Sequence, residues 1–180
     1  MTSSRPINPG RHRAVFGFAG WSGSGKTTLV EKVVAHLAAK SIDVATIKHA
    51  HHNFEADHVG KDSYRHRKAG ARQVLVSSAQ RSAHFIEHAA AAEPELPYLL
   101  DQLQPAELVL VEGFKSYPIE KIEIHRPSIG KNKLYIGDPL VVAVASDKPL
   151  DACPLPVFDL GDIDGIATFV LARTNLLQAS

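Results

Sequence analysis

The segment 20–27, GWSGSGKT, constrains this chain more than any other, because it matches the phosphate-binding pattern G-x-x-x-x-G-K-[ST] at every position. The apolar run 14–20 predicts a buried strand before it, and apolar residues at helix spacing from 26 to near 40 predict a helix after it. In such a strand–loop–helix unit, glycines let backbone N–H groups turn inward around a polyphosphate, and the helix start adds its positive dipole end. The segment therefore predicts a site for a nucleoside triphosphate or diphosphate.

Three polar side chains of this phosphate-binding loop (P-loop, residues 20–28) have a specific expected role. The Lys26 ammonium is expected to contact the β- and γ-phosphates, which makes Lys26 a candidate catalytic residue, and the Thr27 hydroxyl is expected to bind Mg²⁺. Thr28 is expected at the α-phosphate. The residues of the loop predicted to bind the nucleotide are Gly20, Ser22, Gly23, Ser24, Gly25, Lys26, Thr27 and Thr28.

Strand-like and helical segments alternate along the rest of the chain. This alternation favours an α/β fold, the three-layer arrangement of P-loop NTPases with a mostly parallel sheet. Asp62 is expected to cap a short helix that Gly70 closes. Further strands are predicted at 42–48, 72–77, 82–88, 108–111, 119–125, 140–145 and 156–160, and further helices at 62–69, 94–104 and 163–177.

The length of 180 residues fits one domain, predicted at 14–180 after a flexible N-terminal tail at 1–13. The net charge of +1, from 20 basic and 19 acidic residues, excludes the strong positive field of typical nucleic-acid binders. The single cysteine excludes a disulfide framework. No apolar run approaches the roughly 20 residues of a membrane helix, and the first residues lack a secretory signal. We therefore expect a cytoplasmic protein that binds neither nucleic acid nor membranes.

A P-loop protein needs a carboxylate near Mg²⁺ at the end of another buried strand. Glu112 follows the apolar run LVLV and is the candidate, and Gly113 permits a close backbone approach. Asp57, in the loop after the second predicted strand, is the other candidate metal ligand, and it is also the candidate catalytic residue that orients the attacking water. Glu55 is a weaker alternative to Asp57.

Three histidines lie close together in the segment KHAHH at 48–52. Neutral imidazoles at such spacing bind Zn²⁺ or Ni²⁺, but a structural zinc site needs four ligands and no cysteine is near. Two other interpretations remain open. The segment is either a polar loop at the carboxyl edge of the sheet, where open α/β folds bind ligands, or part of a surface for an anionic ligand together with Lys61, Arg65 and Arg67.

Six ordered segments, spread over most of the chain, carry a family resemblance. They are GWSGSGKTTL (20–29), IKHAHH (47–52), GKDSYRHRKAGA (60–71), LVLVEGFK (108–115), KIEIHR (121–126) and VAVASDKPL (142–150). Together they resemble the molybdopterin-guanine dinucleotide biosynthesis protein B (MobB) family of P-loop GTP-binding proteins. The P-loop alone is unspecific, but the ordered set with VEGFK and GKDS is specific.

The resemblance implies a role in molybdenum-cofactor maturation. In that family, a separate nucleotidyltransferase joins GMP, from GTP, to molybdopterin, and the B protein binds GTP and partners that enzyme. The resemblance also implies a homodimer that uses GTP and Mg²⁺, comes near molybdopterin, and hydrolyses GTP weakly at most. Carried over to this chain, Thr27 and Glu112 would serve Mg²⁺, and Asp57 would match the acidic residue before the GKDS segment.

The motif that reads guanine in typical GTPases is incomplete in this chain, whereas the phosphate-binding pattern is complete. Typical GTPases use Asn-Lys-x-Asp after a late strand, and this chain has Ala145-Ser146-Asp147-Lys148 at that point. Asp147 is expected to accept hydrogen bonds from guanine N1–H and N2–H₂, which adds it to the predicted nucleotide-binding residues. Because the asparagine is missing, the expected preference for GTP over ATP rests on the resemblance.

Other functions use the same P-loop. A metallochaperone-type GTPase for Ni²⁺ or Zn²⁺ is suggested by His49, His51 and His52, and a small-molecule kinase by the arginine-rich stretch 61–72, which would serve as a closing lid. A scaffold in which nucleotide only orders a dimer is a further alternative. No residue stands out as a water-positioning glutamine, an arginine finger or a base for an acceptor hydroxyl, so weak GTPase activity is the most that we expect.

Overall fold

The computed structural model describes residues 8–50, 54–88 and 93–177. The chain divides into two compact units. Unit 1 comprises Met1–His49 and Glu95–Ser180, and unit 2 comprises Ala50–Pro94. Among the described residues, no helix is both long and apolar enough to cross a membrane.

The expected tail at 1–13 falls only partly within the described residues. Arg11 donates a hydrogen bond to the Asp101 carbonyl at 2.8 Å. His12 is buried, and its Nδ1 accepts a hydrogen bond from the Ala106 backbone N–H at 3.2 Å. The division of the chain into a flexible tail and one domain at 14–180 stays a prediction.

The described residues form eight strands and four α-helices. In chain order they are β1 (Ala14–Gly20), α1 (Lys26–Ala39), β2 (Val44–Lys48), α2 (Asp62–Lys68), β3 (Gln73–Ser77), β4 (Ser82–Ile86), α3 (Leu96–Gln102), β5 (Leu108–Glu112), β6 (Lys121–His125), β7 (Val141–Ser146), β8 (Val157–Asp159) and α4 (Ile163–Arg173). Two short 3₁₀ helices, Pro127–Ile129 and Leu134–Ile136, occupy the connection between β6 and β7.

Unit 1 is built on a six-stranded sheet in the order β2-β5-β1-β6-β7-β8. Every strand pairing within it is parallel, which confirms the predicted α/β class. Helices cover both faces of the sheet. Successive residues of a strand point to opposite faces, so a single strand contributes apolar side chains to the helices on each side. On β5, Leu110 packs with α1 and α4, whereas Val109 packs with Leu96 of α3 on the other side.

The register of the parallel strands decides which residues meet at the carboxyl edge of the sheet. Gly20, the last residue of β1, is opposite Ile124 of β6. Glu112, the last residue of β5, is opposite Lys48, the last residue of β2. The P-loop, Lys48 and Glu112 therefore emerge at the same edge, where open α/β sheets bind their ligands.

Unit 2 contains α2 and an antiparallel hairpin formed by β3 and β4. The prediction that Asp62 caps the short helix was wrong. Asp62 is the first helical residue and Lys61 occupies the cap without a side-chain hydrogen bond. Asp62 still favours the helix start, since a negative charge in the first turn interacts well with the positive end of the helix dipole.

Candidate functional site: the phosphate-binding loop and its surroundings

Three glycines give the P-loop its shape. Gly23 and Gly25 have φ angles of 81° and 91°, in the left-handed region that residues with a Cβ rarely adopt. Gly20 is required for a different reason: a Cβ there would lie 2.5 Å from the carbonyl oxygen of Ile124 and 2.7 Å from Ser24 Oγ. The loop thus depends on glycine both for its turns and for its close approach to β6.

Lys26 spans the mouth of the P-loop, because its Nζ donates a hydrogen bond to the Trp21 carbonyl at 2.9 Å. Burial lowers the pKa of Lys26 below its ordinary value, and the positive charges of Lys115 and Lys48 lower it further, while Glu112 opposes the shift. A partly desolvated ammonium among other cations favours the arrival of an anion. This is the electrostatic state expected of a lysine that receives phosphate oxygens.

The predicted Mg²⁺ ligands of unit 1 are in contact with each other. Thr27 Oγ1 donates a hydrogen bond to Glu112 Oε1 at 2.6 Å. Lys48 Nζ lies 3.0 Å from the same Thr27 oxygen and 3.6 Å from the same Glu112 oxygen. A hydroxyl and a carboxylate are oxygen donors of the kind that Mg²⁺ prefers, so the pair fits a magnesium ion. Here the Lys48 ammonium supplies the positive charge beside them.

Arg126 joins the P-loop to Asp147. It follows β6 directly, and its Nε donates a hydrogen bond to the Ser24 carbonyl at 2.9 Å. Its Nη1 donates a second hydrogen bond to Asp147 Oδ2 at 2.7 Å. Asp147, the predicted guanine-reading residue, is thereby tied to the phosphate site by one side chain.

A recess of about 180 Å³ adjoins the beginning of α1. Its lining includes Thr28 and Leu29 from the first turn, Arg126, and the pair Leu160 and Gly161 that follows β8. The recess lies beside the loop and next to the end of the sheet that carries Asp147. That position suits the part of a nucleotide that continues beyond its phosphates.

On the other flank of the P-loop, two lysine ammonium groups lie close to the ring of Trp21. Lys115 Nζ lies 4.1 Å from the centroid of the Trp21 ring, and Lys131 Nζ lies 5.9 Å from it. The indole N–H donates a hydrogen bond to the Asn132 carbonyl at 2.7 Å, which fixes the ring. Cations over an aromatic face are attracted by its electron density. This side of the loop is therefore a basic surface.

Asp57 is placed in unit 2, where its carboxylate, 5% exposed, forms an internal brace. Oδ1 accepts hydrogen bonds from Ser63 Oγ at 2.8 Å and from the His58 backbone N–H at 3.0 Å, and Oδ2 accepts one from Arg67 Nε at 3.1 Å. Burial raises the pKa of Asp57, but the hydrogen bonds from Ser63, Arg67 and His58 outweigh it, so the pKa lies below its ordinary value. The catalytic and metal-binding roles of Asp57 stay predictions.

The histidine segment is only partly described, since His51 and His52 lie outside the described residues. His49 donates a backbone hydrogen bond to the Glu112 carbonyl at 2.9 Å, and its ring centroid lies 4.9 Å from that of Phe114. Within the described parts of the chain, no group of three His, Cys, Asp or Glu side chains is arranged to hold a metal ion.

Comparison with known proteins identifies the family. A family model described as "Molybdopterin guanine dinucleotide synthesis protein B" matches residues 15–147. The chain belongs to this family.

Relatives within the MobB family match over most of their length. The chain is 43% identical over 157 residues to the molybdopterin-guanine dinucleotide biosynthesis adapter protein of Escherichia coli (strain K12), which covers 86% of this chain and 89% of the relative. It is also 43% identical over 159 residues to the adapter protein of Haemophilus influenzae, covering 87% of this chain and 86% of that protein.

Solved MobB structures share the fold. The crystal structure of Bacillus subtilis MobB matches with a TM-score of 0.69 and 24% identity, over 92% of this chain and 99% of that one. A MobB homolog from Bacillus stearothermophilus matches with a TM-score of 0.63 and 24% identity, over 91% and 99% of the two chains. At these identities the likeness supports the three-layer α/β fold.

Sequence reasoning missed the position of two residues at the site. Lys48 was considered only as part of the segment 48–52, which could belong to a surface for an anionic ligand, and Arg126 was assigned no role. Both stand at the carboxyl end of a parallel strand beside the P-loop strand or its neighbour. Their place on those strands is the signal that marks them, because ligands gather at this edge in open α/β sheets.

Proposed function

We propose that this protein is a GTP-binding accessory protein of molybdenum-cofactor biosynthesis, which assists a partner nucleotidyltransferase in attaching GMP to molybdopterin. One observation carries the proposal: a chain of the MobB family joins its P-loop to a strand-end carboxylate through the 2.6 Å bond between Thr27 and Glu112. The curated relatives named above are adapter proteins of molybdopterin-guanine dinucleotide biosynthesis.

GTP and Mg²⁺ are the proposed ligands of the P-loop. Lys26 and the backbone N–H groups of the glycine turns would hold the phosphates, and Thr27 with Glu112 would hold the metal ion. Magnesium supplies neutralisation of charge on the phosphate oxygens when it is bound. Asp147 is proposed to select guanine through its carboxylate.

Hydrolysis is proposed to be weak. Lys26 stabilises negative charge on the phosphates, but the site residues of unit 1 described above include no glutamine to orient water. Asp57 is the proposed water-orienting residue and the third proposed metal ligand. Because both of its oxygens already accept hydrogen bonds within unit 2, it would have to exchange these partners to take part in hydrolysis.

Partner binding and self-association complete the proposal. The basic surface formed by Trp21, Lys115 and Lys131 suits a ligand or partner with anionic groups, and molybdopterin carries a phosphate. A homodimer is supported by exposed apolar side chains in unit 2, among them Leu75 at 68% exposure. The cytoplasmic location and the absence of nucleic-acid binding stay predictions.

Nucleotide titration with Lys26→Ala tests the proposal. Calorimetry with Mg²⁺ is expected to show that the wild-type chain prefers GTP to ATP, and that Lys26→Ala loses most phosphate affinity because the loop loses its central charge. Lys40→Ala is the matched control, since Lys40 lies just after the same helix and pairs with the exposed Asp164 at 3.0 Å. A preference for ATP would contradict the proposal and favour the kinase alternative.

A second experiment tests the accessory role directly. The rate of dinucleotide formation by the nucleotidyltransferase, from molybdopterin and GTP, is expected to rise when the wild-type chain is added. Lys26→Ala is expected to abolish the increase, while Lys40→Ala preserves it. An unchanged rate in the presence of a chain that binds GTP would contradict the accessory role and leave nucleotide binding intact.

A further inference from the structure

Arg126 and Asp147 are brought side by side by two neighbouring strands. β6 and β7 pair in parallel, with His125 opposite Ser146, and Arg126 and Asp147 are the residues that directly follow. The Arg126 guanidinium donates one hydrogen bond to Asp147 Oδ2 at 2.7 Å and another to the Ser24 carbonyl at 2.9 Å. One planar cation thus links the residue that follows β7 to the backbone of the P-loop.

The second oxygen of Asp147 is in a different state. Oδ1 is buried and accepts no hydrogen bond from any described residue, although the side chain as a whole is 30% exposed. A buried carboxylate oxygen without a donor is uncommon, because such an atom has lost its hydration and gained nothing in return. An incoming donor would therefore be stabilised at this atom.

The position of Arg126 connects this acceptor to the recess beside the P-loop. Arg126 lines the recess together with Thr28 and Leu29 of the first turn of α1. Its guanidinium Nη2 is also 3.4 Å from the point where a Cβ on Gly25 would lie, so the arginine passes beside the loop at van der Waals distance. The arginine is held by its hydrogen bonds to the loop and to the carboxylate.

We propose that Arg126 is the positioning residue that makes Asp147 selective for guanine. This inference rests on the proposed binding of GTP. Arg126 engages Oδ2 and orients the carboxylate so that Oδ1 meets the base donors N1–H and N2–H₂. Adenine has an acceptor at N1 and xanthine has a carbonyl at C2, and both repel a carboxylate oxygen held in that place. The bond to Ser24 fixes the distance between the base-reading oxygen and the phosphates.

The planar fork of arginine is essential to this role. Its donors are arranged rigidly, so that Nε and Nη1 reach two acceptors at once, whereas a lysine ammonium is a compact charge on a flexible stem. Lysine at 126 would retain the charge and one of the two contacts. We therefore expect an intermediate effect from lysine and a full effect from alanine.

Calorimetric titration of the full chain with Mg²⁺ tests the inference, using GTP, XTP and inorganic tripolyphosphate as probes. Arg126→Ala is expected to weaken GTP binding about tenfold, the value of one charged hydrogen bond, and to lower the GTP-over-XTP preference by a similar factor. Tripolyphosphate binding is expected to stay at the wild-type level, since it has no base. The GTP affinity and the GTP-over-XTP preference of Arg126→Lys are expected to lie between those of the wild type and of Arg126→Ala. Asp147→Asn is expected to shift the preference towards XTP.

Arg173→Ala is the matched control. Arg173 also pairs with a carboxylate in unit 1, that of Glu120, and its exposure of 44% against a partner at 33% resembles the 36% and 30% of the Arg126–Asp147 pair. Arg173 lies at the end of α4, and the variant Arg173→Ala is expected to leave the affinities for GTP, XTP and tripolyphosphate unchanged. Circular dichroism checks that each variant is folded, and if Arg126→Ala does not fold, the Arg126→Lys ratio decides.

Each remaining outcome is decisive. An unchanged GTP-over-XTP preference in the Arg126 variants, or in Asp147→Asn, would overturn the inference. Equal weakening of GTP and tripolyphosphate would also overturn it, because Arg126 would then support only the P-loop. If the wild-type chain bound no GTP, the proposed function itself would fail and take the inference with it; a wild-type chain that binds GTP separates the two failures.

Discussion

A methyl group added at Gly20 would collide with the backbone of the neighbouring strand. The ideal Cβ position lies 2.5 Å from the Ile124 carbonyl oxygen, and that carbonyl belongs to a paired strand that cannot move by itself. Gly20→Ala is therefore expected to destabilise the fold by about 1–3 kcal/mol, the usual cost of overpacking, and to weaken GTP binding by displacing the P-loop. Urea unfolding and calorimetry measure the two effects.

The control for Gly20→Ala is Gly137→Ala. An added Cβ at Gly137 meets no atom within 4 Å, so this variant tests the loss of glycine without the collision. If the two variants unfolded at the same urea concentration and bound GTP equally, close packing at Gly20 would not constrain the loop.

Lys48 occupies a position where it competes with the proposed metal ion. Its ammonium lies 3.0 Å from Thr27 Oγ1 and 3.6 Å from Glu112 Oε1, the two oxygens proposed for Mg²⁺. Lys48→Met removes the charge and keeps the length. We expect the apparent Mg²⁺ affinity to rise about thirtyfold, because the repulsion between a unit charge and a divalent ion ~4 Å apart in water is ~2 kcal/mol.

Magnesium titration at saturating GTP checks the Lys48 prediction. Lys40→Met, at an ion pair after α1, is the control and is expected to leave the Mg²⁺ affinity unchanged. A Mg²⁺ affinity that stays constant in Lys48→Met would mean that the ammonium leaves these oxygens before the metal arrives.

At the scale of elements, β6 shows how polar residues organise the loops around the site. Its five residues are all buried, including Lys121 and Glu123. Lys121 Nζ donates to Asp138 Oδ2 at 2.8 Å and to the Tyr117 carbonyl at 3.0 Å. Glu123 accepts from the backbone N–H groups at the start of the 3₁₀ helix Leu134–Ile136. Buried charges are tolerated where such partners satisfy them.

The brace at Asp57 predicts how unit 2 responds to acid. The pKa of Asp57 is lowered from 3.8, so its contribution to stability is complete above that pH and is lost as the pH falls through the lower folded value. Asp57→Asn is expected to destabilise α2 and the hairpin at neutral pH and to reduce their further loss of stability in acid. Hydrogen exchange of amides in residues 54–88, corrected for its intrinsic pH dependence, measures this.

Asp62→Asn is the control in the same unit. The Asp62 side chain is 87% exposed and lies 3.7 Å from Arg65, so the pair is weak. We expect exchange in this variant to resemble the wild type at both pH values. If exchange in Asp57→Asn matched the wild type, the hydrogen bonds that Asp57 accepts would not stabilise unit 2.

At the scale of the whole molecule, the proposed homodimer is expected to bury exposed apolar side chains of unit 2. Phe54 is 76% exposed, Val59 78% and Leu75 68%. The hairpin has only two strands, and such hairpins are marginal in water without further packing. Large contiguous apolar patches mark interaction surfaces, so the proposed interface requires these side chains to come together in the dimer.

Leu75→Glu tests the homodimer. Sedimentation of the wild-type chain is expected to give twice the 19.5 kDa of one chain, and the variant is expected to sediment as a single chain because a charge in an apolar interface is costly. Ile136→Glu is the control, since Ile136 is equally apolar, 75% exposed and part of unit 1. A wild-type chain that sediments at 19.5 kDa would contradict the homodimer.

The sequence by itself determined the features whose causes lie within a few residues of one another. The strand, glycine loop and helix at 14–39 follow from apolar spacing and from GWSGSGKT, and the bounds of β1 agree with the structure. The α/β class follows from the alternation of apolar patterns, and the ordered segments led to the MobB family. Each of these signals is local and is read along the chain.

Only the tertiary structure decided which distant residues meet. Thr27 and Glu112 are 85 positions apart, and the register of β5 with β1 and β2 brings Glu112 to the P-loop and sets Lys48 beside it. The alternation in KIEIH is typical of a strand with one solvated face, yet β6 is buried because its polar partners come from Tyr117, Asp138 and the helix at 134–136. Arg126 gains its role in the same way, from strand order and register, which no local pattern encodes.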